Sequence, residues 1–248
     1  MATRRHPLPS PGPLVLGIET ATGACGLAVL AGDRILAEFA FVTPRGQSAL
    51  LMQGIDAIVR ITGTPADNWQ AVAVSRGPGS FTGLRIGMAT AKALGFSLGI
   101  PLYGIPTLSA MASRLAPFHQ GPACVLLDAR KGQVFAALFQ IDPTGACLLE
   151  GPAAMAPGEV PGLAPPEALF AGDAAPLHGA AIAAAYGHAV RWAPEELGRP
   201  SAAAVARLAL PLIRENAPSQ LAGLVPDYVR ASDAEIHHSR LPGKSCPV

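Results

Sequence analysis

The feature that most constrains this chain lies between residues 71 and 99. A short apolar run, AVAVS, is followed by Gly77-Pro78-Gly79-Ser80, and a helical stretch beyond it puts Gly83, Gly87, Ala91, Gly95 and Gly99 at every fourth position. Residues four apart share one ridge of a helix, so this helix carries a line of minimal side chains that another backbone can approach closely. Each glycine inside a helix costs about 0.8–1 kcal/mol relative to alanine. Such a ridge is stable only where packing offsets that cost, and the spacing alone leaves open whether the packing is internal or against another chain.

The turn that launches the helix sits between a strand and a helix N-terminus, where free N–H groups and the helix dipole commonly hold phosphate. The residues fail the known phosphate patterns. A P-loop needs a Gly-Lys-Ser/Thr that does not follow Gly77 or Gly79, and a dinucleotide fingerprint needs glycine at Thr82 and no Pro78 between its first glycines. A tight turn with Ser80 as helix cap is the simpler reading.

Around this unit, residues 14–19, 25–31 and 34–42 read as three antiparallel strands, the last two joined by a Gly32-Asp33 turn. Residues 48–62 change period: Leu51, Ile55, Ile58 and Thr62 share one helical face, and Gln53, Asp56 and Arg60 another. A strand at 71–75, the helix to about 99 and a strand at 101–105 complete the first half. The second half opens in the same manner, with a strand at 124–128, a turn at Lys131-Gly132 and a strand at 133–141. Both openings end an apolar strand on an acid, Glu19 or Asp128. On residues alone, duplication and chance similarity both stay open. Residues 142–200 are rich in Ala, Pro and Gly, and show only a strand at 168–172, ending before Asp173, and a helix at 174–187. Ser201 caps a helix at 201–214.

With 248 residues, half of them hydrophobic, the chain can bury one large core or two ordinary ones. The expected organisation is a disordered leader at 1–13, a first lobe at 14–116, a second lobe at 117–230 and a disordered tail at 231–248. The 18 basic and 17 acidic residues give a net charge of +1 and no global field for nucleic acid or an anionic membrane. Cys25, Cys124, Cys147 and Cys246 are far apart and form no C-x-x-C pair, which suits a reducing cytoplasm. Arg4-Arg5 is not followed by an export signal, since the leader carries four prolines and Glu19 interrupts the apolar run. The most apolar later stretch, 83–105, holds Arg85, Lys92 and Pro101, so no membrane span is expected. H-E-x-x-H and G-x-S-x-G are absent, and no two histidines stand four apart, which leaves a metallopeptidase or a serine hydrolase without its groups.

The run SRGPGSFTGLRIGMATAKALG, followed by IPLYGIPTLSAMA, resembles the signature of the TsaB family, formerly called YeaZ. GIETATGACGLAVL, LLDARKGQVFAALF and PDYVR extend the resemblance over roughly residues 14 to 230. It implies an α/β, actin-like ATPase fold (ribonuclease H-like) of two lobes in βββαβαβα order. It also implies a non-catalytic subunit that binds and activates TsaD, which transfers threonylcarbamoyl to the adenosine beside the anticodon of tRNA. TsaE would join as a third subunit, tRNA contact would be indirect, and a second copy of the chain is an alternative occupant of the docking surface. No cofactor is expected of this subunit; ATP belongs to the complex. Taken with the resemblance, the interface residues are Leu51, Ile55 and Ile58 of the first helix and Gly83, Gly87, Ala91 and Gly95 of the second. The motif turn is Gly77, Pro78, Gly79, Ser80, Phe81, Thr82 and Arg85. Glu19, Thr20, Asp128 and Asp173 are expected as vestigial nucleotide loops. The rival readings are an ATPase of the same fold and, third, a glycoprotease-like metallopeptidase. Two residues depart from the family pattern: Gln47 stands where His is usual, and Glu19 where Asp is common. A Gln amide neither titrates nor ligates metal well.

Overall fold

The computed structural model describes residues 12–42 and 47–229, without the Gln47 side chain. Most of the leader and the tail therefore lie outside the described residues.

The first sheet is built by β1 (Leu14–Glu19), β2 (Ala24–Ala31), β3 (Arg34–Val42), β4 (Ala71–Gly77) and β5 (Leu102–Pro106), in the order β3-β2-β1-β4-β5. β1, β2 and β3 are antiparallel neighbours, and β4 and β5 add in parallel on the other side of β1. The alternation of side chains along a strand divides β1 between two layers. Leu16 and Ile18 face α1 (Gln47–Thr62) and α2 (Phe81–Leu98), together with Val72 and Val74 of β4. Val15 faces the opposite way with Ala71 and Ala73, against α6 (Ala202–Arg214). Both faces are thus covered, as a sheet with parallel strands requires.

The second sheet repeats this plan. It comprises β6 (Gly121–Arg130), β7 (Gln133–Asp142), β8 (Gly145–Met155), β9 (Leu169–Ala171) and β10 (Arg191–Trp192), in the order β10-β9-β6-β7-β8. Three antiparallel strands are again extended by two parallel ones beyond the first. The shared topology supports duplication, and each first strand carries an acid at or near its end, Glu19 as the last residue of β1 and Asp128 two residues before the end of β6. On one face Val125 and Leu127 meet Leu108 and Met111 of α3 (Thr107–Ser113); on the other Cys124 and Leu126 meet Ile182 of α4 (Ala175–Tyr186). α3 is shared, since its Ala110 packs in the first-lobe core.

Two expectations change. The second lobe does not run to residue 230, because α6 lies on the first sheet: a Cβ at Gly17 would sit 2.2 Å from the Ala202 carbonyl oxygen. Five buried alanines, Ala202, Ala203, Ala204, Ala206 and Ala209, let the helix come that close. The chain thus returns to the first lobe after α5 (Glu195–Gly198). In addition β8, an eleven-residue edge strand, occupies part of the stretch that had no reading.

Candidate functional site: the glycine-ridged helix and the interlobe cleft

β4 ends at Gly77, and Ser80 caps α2 by accepting a hydrogen bond from the Gly83 N–H at 3.3 Å. The Ser80 N–H donates to the Ala21 carbonyl at 2.6 Å, joining this turn to the β1–β2 turn. The ridge then runs over that turn. A Cβ at Gly83 would lie 2.1 Å from the Thr20 carbonyl oxygen, and one at Gly87 would lie 2.1 Å from Thr20 Oγ1. A Cβ at Gly95 would meet Leu221 at 3.1 Å, and Ala91 is fully buried.

The ridge is therefore internal, and the expected interface residues are corrected as a set. Gly83, Gly87, Ala91 and Gly95 face the chain's own β1 end and residue 221, while Leu51, Ile55 and Ile58 are at most 6% exposed in the core. The apolar stripe of α1 does what such stripes ordinarily do, which is to face the sheet. The outer faces carry what the sequence reading passed over: Met52 and Ile61 on α1 are 53% and 68% exposed, and Phe96 on α2 is 82% exposed. Asp56 and Arg60 form an exposed ion pair at 3.0 Å beside them.

Between the lobes lies a cleft of about 620 Å³. The first lobe contributes the Ala21–Gly23 turn, Gly79 to Thr82 and Arg85, and the second contributes Asp128, Arg130 and Asp173. Asp173 Oδ1 accepts the Asp128 N–H at 2.9 Å, and Asp128 Oδ1 accepts from the Arg130 N–H at 2.9 Å and lies 3.2 Å from His178 Nε2. Burial pushes the Asp173 carboxyl above the usual range, partly opposed by the hydrogen bond from Asp128. Asp128 and Asp173 thus stand on the cleft wall.

Glu19 and Thr20 do not. Glu19 is 2% exposed; its Oε1 accepts the Ala21 N–H at 2.5 Å, and its Oε2 has no partner among the described residues. Burial pushes this carboxyl up to about 7, against hydrogen bonds from Ala21 and Ser75 that favour the ionised form. Thr20 is fully buried beneath Gly87. The acid at the end of β1 serves the interior of the lobe, whereas its counterpart Asp128 serves the cleft.

Phe81 and Arg85 of the motif turn, with Tyr228 and Asp227, complete the cleft. Arg85 Nε donates to the Tyr228 hydroxyl at 2.9 Å, and its guanidinium lies 3.8 Å over the Phe81 ring. Phe81 and Tyr228 have ring centroids 4.9 Å apart, and Asp227 pairs with Arg76 at 3.0 Å. The PDYVR segment had no periodicity to place it. The Ser80 N–H is given to the Ala21 carbonyl, the Gly83 N–H to the Ser80 hydroxyl and the Arg85 Nε–H to the Tyr228 hydroxyl, while three carboxylates face the space. Among the described residues no three His, Cys, Asp or Glu are grouped to hold a metal ion, and no helix is long and apolar enough to cross a membrane.

Two lobes of one topology facing each other across a cleft define the class: a two-lobed α/β protein with a mixed five-stranded sheet in each lobe. A solved structure, an uncharacterized protein with similarity to peptidase YeaZ from Pseudomonas aeruginosa, has the same fold, with a TM-score of 0.73 at 22% identity over 88% of this chain and all of that one. Residues 42–238 match the family described as TsaD, tRNA N6-adenosine threonylcarbamoyltransferase. The tRNA threonylcarbamoyladenosine biosynthesis protein TsaB of Bacillus subtilis is 28% identical over 232 residues, 89% of this chain and 96% of that protein. The protein of the same name from Escherichia coli is 37% identical over 133 residues, 53% of this chain and 57% of its own length. The chain belongs to the TsaB (YeaZ) family, within this wider TsaD group.

Proposed function

We propose that this chain acts in tRNA threonylcarbamoyladenosine biosynthesis as a partner subunit that binds and activates TsaD without turnover of its own. The pathway follows from the relatives of the same family. The docking role rests on one observation: Met52, Ile61 and Phe96 are large apolar side chains left in solvent on two packed neighbouring helices. Exposed apolar patches of this kind mark protein interaction sites. The docking surface of this reading is the exposed surface of α1 and α2, with Phe96 opposite the ridge and Met52 and Ile61 flanking the buried stripe of α1. TsaE would join the pair, ATP would act at the level of the complex, and a second copy of this chain would compete for the same face.

The test is complementation in cells depleted of the endogenous subunit. The chain restores threonylcarbamoyladenosine in bulk tRNA, measured by nucleoside mass spectrometry, only where TsaD is present, and the purified chain alone hydrolyses no ATP. ATP hydrolysis by the isolated chain that is lost in Asp128→Asn would instead establish an ATPase of the same fold.

A further inference from the structure

The chain passes between the lobes twice outside the cleft lining, at α3, which packs in both cores and continues into residues 114–120, and at residues 199–201 between α5 and α6. These crossings are tied together, since the Arg114 guanidinium donates to the Leu197 carbonyl at 3.5 Å and to the Arg199 carbonyl. Two joined crossings form a hinge, and two lobes on a hinge are expected to open and close.

A third crossing lines the cleft itself, at residues 227–229. After α6 the chain runs back along β5, where Gln220 exchanges hydrogen bonds of 2.9 Å with the Leu102 carbonyl and the Gly104 N–H. It is set deeply into the first lobe. A Cβ at Gly104 would lie 2.3 Å from Leu224 Cδ1, and one at Gly77 would lie 2.6 Å from the Asp227 carbonyl oxygen. Leu224 is buried in the first-lobe core, and the Asp227 N–H donates to the Arg76 carbonyl at 2.7 Å. Tyr228 then stacks on Phe81 at the start of α2, and Val229 packs on the second-lobe core.

We propose that residues 224–229 are a clasp that locks the cleft at one width. Leu224 and Asp227 anchor it in the first lobe, Tyr228 and Arg85 line the cleft, and Val229 holds the second lobe. The clasp lines the cleft and the hinge residues do not, so a rotation that widens the cleft must pull Val229 from its core or Tyr228 from Phe81. The fold keeps the two-lobed form of an opening and closing machine while its own chain holds it shut. This rests on the cleft geometry and not on the proposed partner.

The experiment measures the distance between spin labels at Ser97→Cys on α2 and Ala184→Cys on α4, both exposed positions, in the full chain carrying Cys147→Ser and Cys246→Ser. The parent is expected to give one narrow distance distribution. Tyr228→Ala combined with Val229→Ser is expected to give a longer mean and a broader distribution, with unchanged far-ultraviolet circular dichroism. If the double variant does not fold, Val229→Ser alone is judged by the same criterion. A broad distribution in the parent, or an unchanged narrow one in a folded clasp variant, overturns the proposal. So does global unfolding of Val229→Ser, which would make the segment a core element rather than a clasp.

Discussion

α2 and α4 follow equivalent strands in two sheets of the same topology, yet they are held in opposite ways. α2 buries six residues of its eighteen, and its glycines let it lie directly on the backbone of the β1–β2 turn. α4 buries only Ile182, and a Cβ at its Gly179 would meet Trp192 at an ordinary 3.4 Å. Two frames of one topology thus differ in how closely a helix is set on them. The tightened helix is the one whose far side exposes Phe96, so a helix fixed on one face can present the other without moving.

The comparison breaks most readily at the ridge. Gly83→Leu should cost more than about 4 kcal/mol and leave little folded protein, because the new side chain meets backbone at Thr20 rather than a flexible tip. Chemical denaturation and soluble yield check this. A well-folded Gly83→Leu variant would mean that α2 is no tighter than α4.

The second effect concerns Glu19. Its carboxyl titrates near 4.5 in a solvated chain and is pushed up to about 7 by burial, so the folded state holds the proton more firmly. That stabilisation is fully present below about pH 4.5 and is lost as pH rises through about 7, on the order of 3 kcal/mol in all. Glu19→Gln should flatten the stability profile between those limits. A profile unchanged by the substitution would place the carboxyl in a wetter setting.

Smaller still is Gly179→Ala on α4, expected to raise stability by about 0.5–1 kcal/mol, since the new methyl has ordinary contacts and alanine favours the helix. The smallest is Met52→Ala, expected within about 0.5 kcal/mol of the parent because the side chain is half in solvent. Thermal unfolding resolves both.

Much of the first lobe could be read because its elements have one buried face and one period. The stripe of α1 and the alternation along β1 and β4 each point to a layer. The ridge was equally visible, but its partner was not: Thr20 lies about sixty residues upstream, and spacing within a helix carries no record of what rests on it. β8 escaped because most of its side chains are exposed, which leaves no apolar alternation along the strand. α6 was recognisable as a capped helix, but its alanine-rich face suits either sheet. In the cleft, Asp128 could be guessed from its place at a strand end, and the same rule misplaced Glu19, because the end of β1 lies under the α2 turn. Tyr228 and Arg85 meet across 143 residues with no local pattern to announce it.

The central claim is that α2 has a packing face and a docking face. Its most direct test is the affinity of purified TsaD for the Phe96→Asp Met52→Asp double variant, measured by calorimetry beside the parent. The account predicts a loss of at least about tenfold, as expected when large apolar anchors at an interface are replaced by charge, with Tm close to the parent's. Unchanged affinity in a folded double variant would contradict it and move the docking surface elsewhere on the molecule.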